Sequence, residues 1–188
     1  MTLLPITLIG DKILRRKASA VKEVDVKTIE LIRDMFETMR NANGIGLAAN
    51  QVGADKSIFI IDISVIEGYE TLKPMVFINP KINYRSENKV FIEEGCLSIP
   101  DIRAEVERPD TIKMDYQDTD LKAHSIEAKD LLARLLQHEY DHLQGVLFTD
   151  LISDEMKKKL KRNLSNIRRR NIDFQYPVTE HADYQMQL

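Results

Sequence analysis

Apolar residues are arranged along the chain in two different patterns, which separate helical from extended parts. Between Val26 and Arg40 they return every three or four residues, and Asp25 stands where a helix N-cap belongs. The same helical spacing is found at about 129–144 and again at 153–170. We therefore predict three amphipathic helices, one near each terminus and one between them.

The stretch between the first two helices has a different texture. Short runs rich in β-branched and aromatic residues alternate with turn-forming residues, as is typical of strands. The predicted strands are 57–63, 75–82, 89–93, 104–108, 111–116 and 123–128. The order of elements predicts an α+β fold, with mainly antiparallel β-sheets packed around a central helix and with N-terminal and C-terminal helices.

Length and composition indicate one ordinary globular domain. A chain of 188 residues fits a single core, and 43% apolar with 30% charged residues is incompatible with general disorder. We assign residues 1–170 to this domain and residues 171–188 to a polar tail of weak structure. Because 27 basic residues face 30 acidic ones, a surface that binds nucleic acid over most of its area is excluded.

The N-terminal segment and the cysteine content bear on the compartment. Residues 2–9 are apolar but are interrupted by Pro5 and lack a basic flank, so we expect no secretory signal and no membrane segment. The single cysteine, Cys96, cannot form an internal disulfide. This favours a reducing compartment, and we expect the protein in the cytoplasm.

The second helix contains the pattern His-Glu-x-x-His at 138–142. Two imidazoles four residues apart project from one helical face and can hold one metal ion, with Glu139 beside them. Leu131 and Leu135 belong to the same stripe, where polar side chains are costly unless a partner such as a divalent cation compensates them. The alternative is an amphipathic helix with surface histidines. We interpret the helix as metal-binding.

A hydrolytic site of this kind needs a third protein ligand and an open position for water. The candidates are Cys96, His124, Asp150, Glu155 and His181. Cys96 is favoured because a thiolate is a strong soft ligand and the preceding Gly95 lets the backbone approach closely. Glu155 would instead give a metallopeptidase-like site. A metal-dependent structural or RNA-binding protein without turnover is the third alternative.

Three segments resemble, in order, the signature motifs of the peptide deformylase family. They are GIGLAANQ at 44–51, EGCLS at 94–98 and QHEYDHLQG at 137–145. The similarity extends from Leu4 to about Phe148, which is most of the chain. One departure is Asn50, where the family often has a proline or another small residue.

The resemblance implies a metal-dependent hydrolase that removes the formyl group from the N-terminal formyl-methionine of newly synthesised polypeptides and releases formate. The cation would lower the pKa of a water molecule, and Glu139 would take its proton and pass it to the departing amine. In the family, the side-chain amide at the position of Gln51 and the backbone N–H at the position of Leu97 stabilise the charge that develops on the formyl oxygen. The implied metal ligands are Cys96, His138 and His142.

The resemblance also implies a cleft in which the substrate pairs as an extended strand with the backbone near Ile45, Gly46 and Gly95. The methionine side chain would lie in an apolar pocket, although ordinary core positions remain the alternative for the apolar residues. Glu94 and Arg103 are either an ion pair that supports the cleft or a solvated pair. The implied substrate-binding residues are Ile45, Gly46, Ile92, Glu94, Gly95, Arg103, Leu131 and Leu135.

The donor set by itself does not select the metal. One thiolate and two imidazoles suit Zn²⁺, Fe²⁺, Co²⁺ or Ni²⁺. The resemblance implies Fe²⁺ as the physiological ion, with Zn²⁺, Ni²⁺ or Co²⁺ able to substitute.

The third helix is strongly basic although the chain is acidic overall. Lys or Arg occupies eight of the 14 positions from 157 to 170, and none is acidic. Met156, Leu160, Leu164 and Ile167 keep a narrow apolar stripe for docking. One interpretation is a solvated face; the other is contact between the basic helix 153–170 and ribosomal RNA near the exit of nascent chains. We expect the protein to be a monomer.

Overall fold

The computed structural model describes residues 2–186 and consists of helices, one large sheet and one hairpin. The α-helices are α1 (Val26–Asn41), α2 (Asp130–Leu143), α3 (Phe148–Leu151) and α4 (Asp154–Arg168). The strands are β1 (Gly46–Ala48), β2 (Ile58–Ile61), β3 (Met75–Arg85), β4 (Lys89–Cys96), β5 (Ile99–Pro109), β6 (Thr111–Gln117) and β7 (Ala123–Lys129). Met1 and residues 187–188, the ends of the predicted domain and tail, lie outside the described residues.

The strands form two sheets in which all neighbours are antiparallel. Five of them are ordered β1-β2-β3-β6-β7, and β4 pairs with β5 as a long hairpin. The predicted α+β class with mainly antiparallel sheets is thereby confirmed.

Helix α2 contacts both sheets, through β1, β2, β6 and β7 on one side and β5 on the other. Such a helix is buried around most of its circumference, which explains why polar residues at 137–139 are as buried as the leucines beside them. The predicted central position of this helix is therefore confirmed. Its buried residues are Ala133, Arg134, Leu135, Leu136, Gln137, His138, Glu139, His142 and Leu143.

Several element boundaries differ from the predicted ones. Strand β1 and helix α3 were not predicted, and α4 ends at Arg168 rather than Arg170. The strand predicted for 89–93 continues to Cys96, although Glu94 and Gly95 are poor strand formers. Pairing with β5 stabilises the extended backbone at these positions, since Glu94 lies opposite Ala104 and continues the ladder. This extension places Cys96 at the tip of the hairpin.

The segment after α4 packs against the body of the protein. Residues 171–186 contain no helix or strand apart from an isolated parallel bridge between Val178 and Ile6. Ile172 and Phe174 nevertheless pack, with Val178, on the apolar cluster beneath β5 and α4. The polar segment is thus attached to the protein by an apolar inner face.

As for membrane spans, none of the helices within residues 2–186 has both the length and the apolar character needed to cross a bilayer.

Candidate metal centre

Three donor atoms from two parts of the chain, the end of β4 and helix α2, converge at one place. The thiol of Cys96 and the imidazoles of His138 and His142 offer ligand atoms that all lie within 4.8 Å of one another. Cys96 Sγ is 3.2 Å from His142 Nε2, and the two imidazole rings are nearly perpendicular with centroids 4.9 Å apart. The hairpin tip supplies the sulfur, and one turn of α2 supplies both nitrogens.

The residues present fit a divalent cation. One thiolate with two imidazoles is a ligand set for first-row divalent metals, and three protein donors leave a coordination position for water. Oε2 of Glu139 is buried beside these donors without a hydrogen-bond partner among the described residues, which leaves it able to bind such a water. Burial and the charge of His138 lower the pKa of His142, so its ring is in the neutral form that binds metals.

The other candidate third ligands lie elsewhere. His124 Nε2 is 2.6 Å from Asp118, and Asp150 forms an ion pair with Arg15. Glu155 is exposed on α4, 2.7 Å from Lys159, and His181 is exposed as well. Within residues 2–186, Cys96, His138 and His142 are the one group of potential ligands close enough to share an ion. The arrangement does not favour the metallopeptidase alternative.

Glu94 fixes the orientation of His138. Its carboxylate, 5% exposed, accepts hydrogen bonds from His138 Nδ1 at 2.9 Å, Arg108 Nε at 2.6 Å and Arg134 at 2.8 Å. Burial alone would raise the pKa of Glu94, but the hydrogen bonds from His138 and Arg108 outweigh it and hold the pKa well below its usual range. An anionic Glu94 keeps the proton of His138 on Nδ1 and leaves Nε2 for the cation.

The predicted ion pair between Glu94 and Arg103 is wrong. Arg103 lies opposite Gly95, and it forms an exposed pair with Glu93 at 3.8 Å. Because side chains alternate across a strand, Glu93 and Arg103 share the outer face, while Glu94 points inward with Arg108. Both Glu94 and Arg103 still line the cleft.

Sequence reasoning missed the two buried arginines of this network. Arg134 precedes His138 by one helical turn, so it lies on the same inner stripe. Arg108 also bonds Asp141 of α2, and thus ties the hairpin to the metal-binding helix. A basic residue in a leucine-rich stripe could have indicated this buried network, because a buried guanidinium requires a nearby carboxylate.

Glu139 is almost fully buried, with 3% of its surface exposed. Burial raises its pKa to about 7, a value suited to a group that must both accept and release a proton. A Cβ at Gly46 would overlap Glu139 Oε1 and would lie 2.8 Å from Leu135. Strand β1 can therefore approach the carboxyl group only because residue 46 is glycine.

Gln51 lies on the other side of the donors, in a short 3-10 helix, Ala49–Val52. Its Oε1 accepts from the backbone N–H of Ala48 at 2.8 Å, so the amide group is held with Nε2 3.4 Å from Cys96 Sγ. Leu97 follows Cys96, and its N–H makes no hydrogen bond to any residue in the described part of the chain. The Leu97 N–H is therefore available to a ligand at the metal centre, and the Gln51 amide, which also donates to the Ser98 hydroxyl at 3.1 Å, lies beside the same donors.

Asn50, the departure from the family pattern, also has a structural role. Its side-chain amide is buried and donates to the carbonyl oxygen of His142 at 2.6 Å. The same carbonyl also accepts from the N–H of Gly145 at 3.0 Å, so the Asn50 amide is a second donor to the last turn of α2.

The donors open into a cleft of about 620 Å³. The structure brings every predicted substrate-binding residue to its wall, including the backbone of β1 and of β4. The predicted residues on the wall are Ile45, Gly46, Ile92, Glu94, Gly95, Arg103, Leu131 and Leu135. Apolar side chains from β4 and α2 lie on the same wall as Glu139, so a bound side chain and the reacting group can be close together.

One wall residue comes from the segment predicted to have weak structure. Tyr176 lines the cleft, and its hydroxyl donates to the carbonyl oxygen of Leu97 at 2.6 Å. Burial raises its pKa, so the hydroxyl keeps its proton. Ile172, Phe174, Tyr176 and Val178 alternate with more exposed residues, and this period of two is a signal that could have identified the segment as packed.

Comparison with known proteins gives one consistent result. The family model for polypeptide deformylase matches residues 3–158. A peptide deformylase of Chlorobium phaeobacteroides is 46% identical over 182 residues, which are 96% of this chain and 97% of the relative. One from Rhizobium meliloti is 48% identical over 164 residues, or 87% of this chain and 90% of the relative.

A solved structure shows the same architecture. The crystal structure of peptide deformylase from Ehrlichia chaffeensis in complex with actinonin matches with a TM-score of 0.82 and 38% sequence identity. The match covers 92% of this chain and 100% of that chain. The likeness therefore extends over nearly the whole fold.

Proposed function

The chain belongs to the polypeptide deformylase family, and we propose that Cys96, His138 and His142 hold the divalent cation with which it works. It is a hydrolase that removes the N-formyl group of formylated polypeptides. The observation that supports the ligand set is the convergence of one sulfur and two imidazole nitrogens within 4.8 Å. When bound, the cation would lower the pKa of water and polarise the formyl group.

Glu139 carries the proton in this reaction. Water adds to the formyl carbon and the C–N bond breaks, so one proton must leave the water and one must reach the departing amine. The unpaired, buried carboxyl oxygen of Glu139 is placed to do both. The products are formate and a free N-terminal amine.

Gln51 and Leu97 stabilise the charge that develops on the formyl oxygen. The Gln51 amide is fixed by Ala48, and the Leu97 N–H faces no competing acceptor in residues 2–186. Donors held in place before the reaction lower the barrier because they need no reorganisation; removing one typically costs about 2.7–4 kcal/mol. Glu94 acts one step further away, by fixing the ring of His138.

The nascent peptide would bind as an extended strand along the cleft. Backbone groups near Ile45, Gly46 and Gly95 would pair with the main chain of the peptide. This mode of binding tolerates varied peptide sequences because it recognises the main chain. Ile92, Leu131 and Leu135 form an apolar wall suited to the methionine side chain. None of the roles assigned above needs a group from a second chain, and we propose a monomer as the working form. A free thiol as ligand supports a reducing compartment such as the cytoplasm.

The metal assignment can be tested with a formyl-Met-Ala dipeptide. We expect the Fe²⁺ protein, prepared without oxygen, to release formate faster than the Zn²⁺ protein, and to lose activity in air because iron(II) is oxidised. The Ni²⁺ and Co²⁺ proteins should survive air. Formate and bound cation are measured on the same sample, so that turnover is expressed per cation-bound chain.

The control substrate is acetyl-Met-Ala, which should not be hydrolysed. Equal turnover by the Zn²⁺ and Fe²⁺ proteins contradicts the preference for iron. No formate with any of the four cations contradicts the assigned activity.

We also propose that helix α4 attaches the enzyme to ribosomal RNA. Leu164 and Ile167 dock it on the apolar cluster beneath β5, while Lys158, Lys161 and Arg162 are exposed. Arg170 does not belong to this surface, because it binds the buried carboxylate of Asp11. The remaining cations form a local basic strip on an acidic protein, which suits a phosphate backbone.

Reversing three charges tests this attachment. Lys158→Glu, Lys161→Glu and Arg162→Glu together should abolish co-sedimentation with ribosomes in low salt, and attachment of the parent should fall steeply as salt rises. The control carries the same change of charge away from α4, at Lys22, Lys27 and Lys73, which are exposed. Equal co-sedimentation of both triple variants would show that α4 is only a solvated face.

A further inference from the structure

The segment 171–186, which we call the C-terminal strap, returns from α4 to the catalytic centre. It lies outside the part of the chain matched by the family model, residues 3–158. It is anchored next to Tyr176: the N–H of Ile6 donates to Pro177 at 2.9 Å, and the N–H of Thr179 donates to Ile6 at 3.0 Å. The Thr179 hydroxyl also donates to the buried carboxylate of Asp11 at 2.7 Å. These contacts hold Tyr176 at a defined place in the cleft wall.

The strap reaches the tip of the β4–β5 hairpin. Cys96 pairs with Ile99, so Leu97 and Ser98 form a two-residue loop. The pairing is irregular here, since the register shifts between Gly95, which lies opposite Arg103, and Cys96. Regular strand pairing therefore gives the loop little support, and other parts of the protein hold it.

Three contacts from outside the hairpin supply this support. The N–H of Ile9 donates to the Ser98 carbonyl at 2.8 Å, and Gln51 donates to the Ser98 hydroxyl at 3.1 Å. The third is the hydroxyl of Tyr176, 2.6 Å from the carbonyl oxygen of Leu97. Of the three, only this last contact holds Leu97 itself. Fixing the carbonyl of Leu97 limits rotation of its backbone and so sets the direction of its N–H.

We propose that Tyr176 is a positioning residue for deformylation, which orients the Leu97 N–H towards the formyl oxygen through its hydrogen bond to the Leu97 carbonyl. The inference rests on the proposed role of the Leu97 N–H. Tyr176 need not touch the reacting atoms, since a donor that is misplaced by a fraction of an ångström loses much of its effect. The strap is thus part of the catalytic apparatus.

Replacing Tyr176 by Phe removes the hydroxyl and keeps the ring. We expect kcat per cation-bound chain to fall about tenfold, as for the loss of one hydrogen bond that acts in the transition state, with KM changed less than about twofold. Bound cation and melting temperature should stay near the parent values. Gln175→Ala, which alters the exposed neighbouring side chain, is the control and should change none of these quantities.

A second measurement does not depend on activity. The Ser98 N–H belongs to the same peptide group as the Leu97 carbonyl, so loss of the hydrogen bond should shift the Ser98 amide resonance in the Zn²⁺ protein. An unchanged resonance, or a shifted resonance with unchanged kcat, overturns the inference. So does a fall in kcat that is matched by loss of bound cation. A parent protein without formate release refutes the proposed function itself, and with it the role of Tyr176.

Discussion

A protein with Glu139→Gln should bind its cation as the parent does and release formate about a thousandfold more slowly. The substitution keeps the shape of the side chain but leaves an amide that cannot take a proton from water or return it to the amine. The carboxyl group is buried beside the ligands and has an unpaired oxygen, so no other described group stands in its place. The measurement is kcat for formyl-Met-Ala, with bound cation determined on the same sample.

The matched control for this experiment is Glu155→Gln. Glu155 is the ligand required by the metallopeptidase alternative, but it lies exposed on α4 beside Lys159. We expect this variant to keep both cation and activity. The role of Glu139 would be contradicted if Glu139→Gln kept more than about a tenth of the parent kcat, because general acid–base catalysis contributes at least about a hundredfold. Loss of the cation from Glu139→Gln would mean that the residue is needed for binding instead.

Replacing Cys96 by Ser should weaken cation binding at least a hundredfold and abolish formate release. Even loss of an outer-shell partner costs about 10–100-fold in metal affinity, and here a direct ligand is removed. A neutral hydroxyl is a poor substitute for a thiolate, and the two histidines alone do not complete the site. Affinity is measured by competition with a chelator, and circular dichroism establishes that the variant is folded.

His124→Gln provides the control for a ligand substitution. His124 was a candidate ligand from the sequence, but its imidazole pairs with Asp118 on the large sheet. This variant should therefore bind the cation with parent affinity. If Cys96→Ser were to retain parent affinity while His124→Gln lost it, the ligand set would have to be assigned anew.

The helical part of the centre could be predicted from the sequence because it is local. His138 and His142 are one turn apart, and helix geometry alone places both rings on one face. The stripe that contains Leu135 further predicted that this face is inside, as the structure confirms. The short runs of β-branched and aromatic residues between turn-forming residues likewise predicted most strands and their antiparallel class.

The sequence by itself thus determined the three longer helices, most strands and the pair of imidazoles, since these follow from the pattern of side chains along one element. Tertiary structure alone decided which distant groups meet them. Glu94 pairs with Arg108 and Arg134 rather than Arg103 because the register of β4 and β5 assigns each side chain to a face. Tyr176 reaches Leu97 because an apolar inner face packs the C-terminal strap on the core. Periodicity specifies the side of an element on which a residue lies, but only packing specifies what lies opposite.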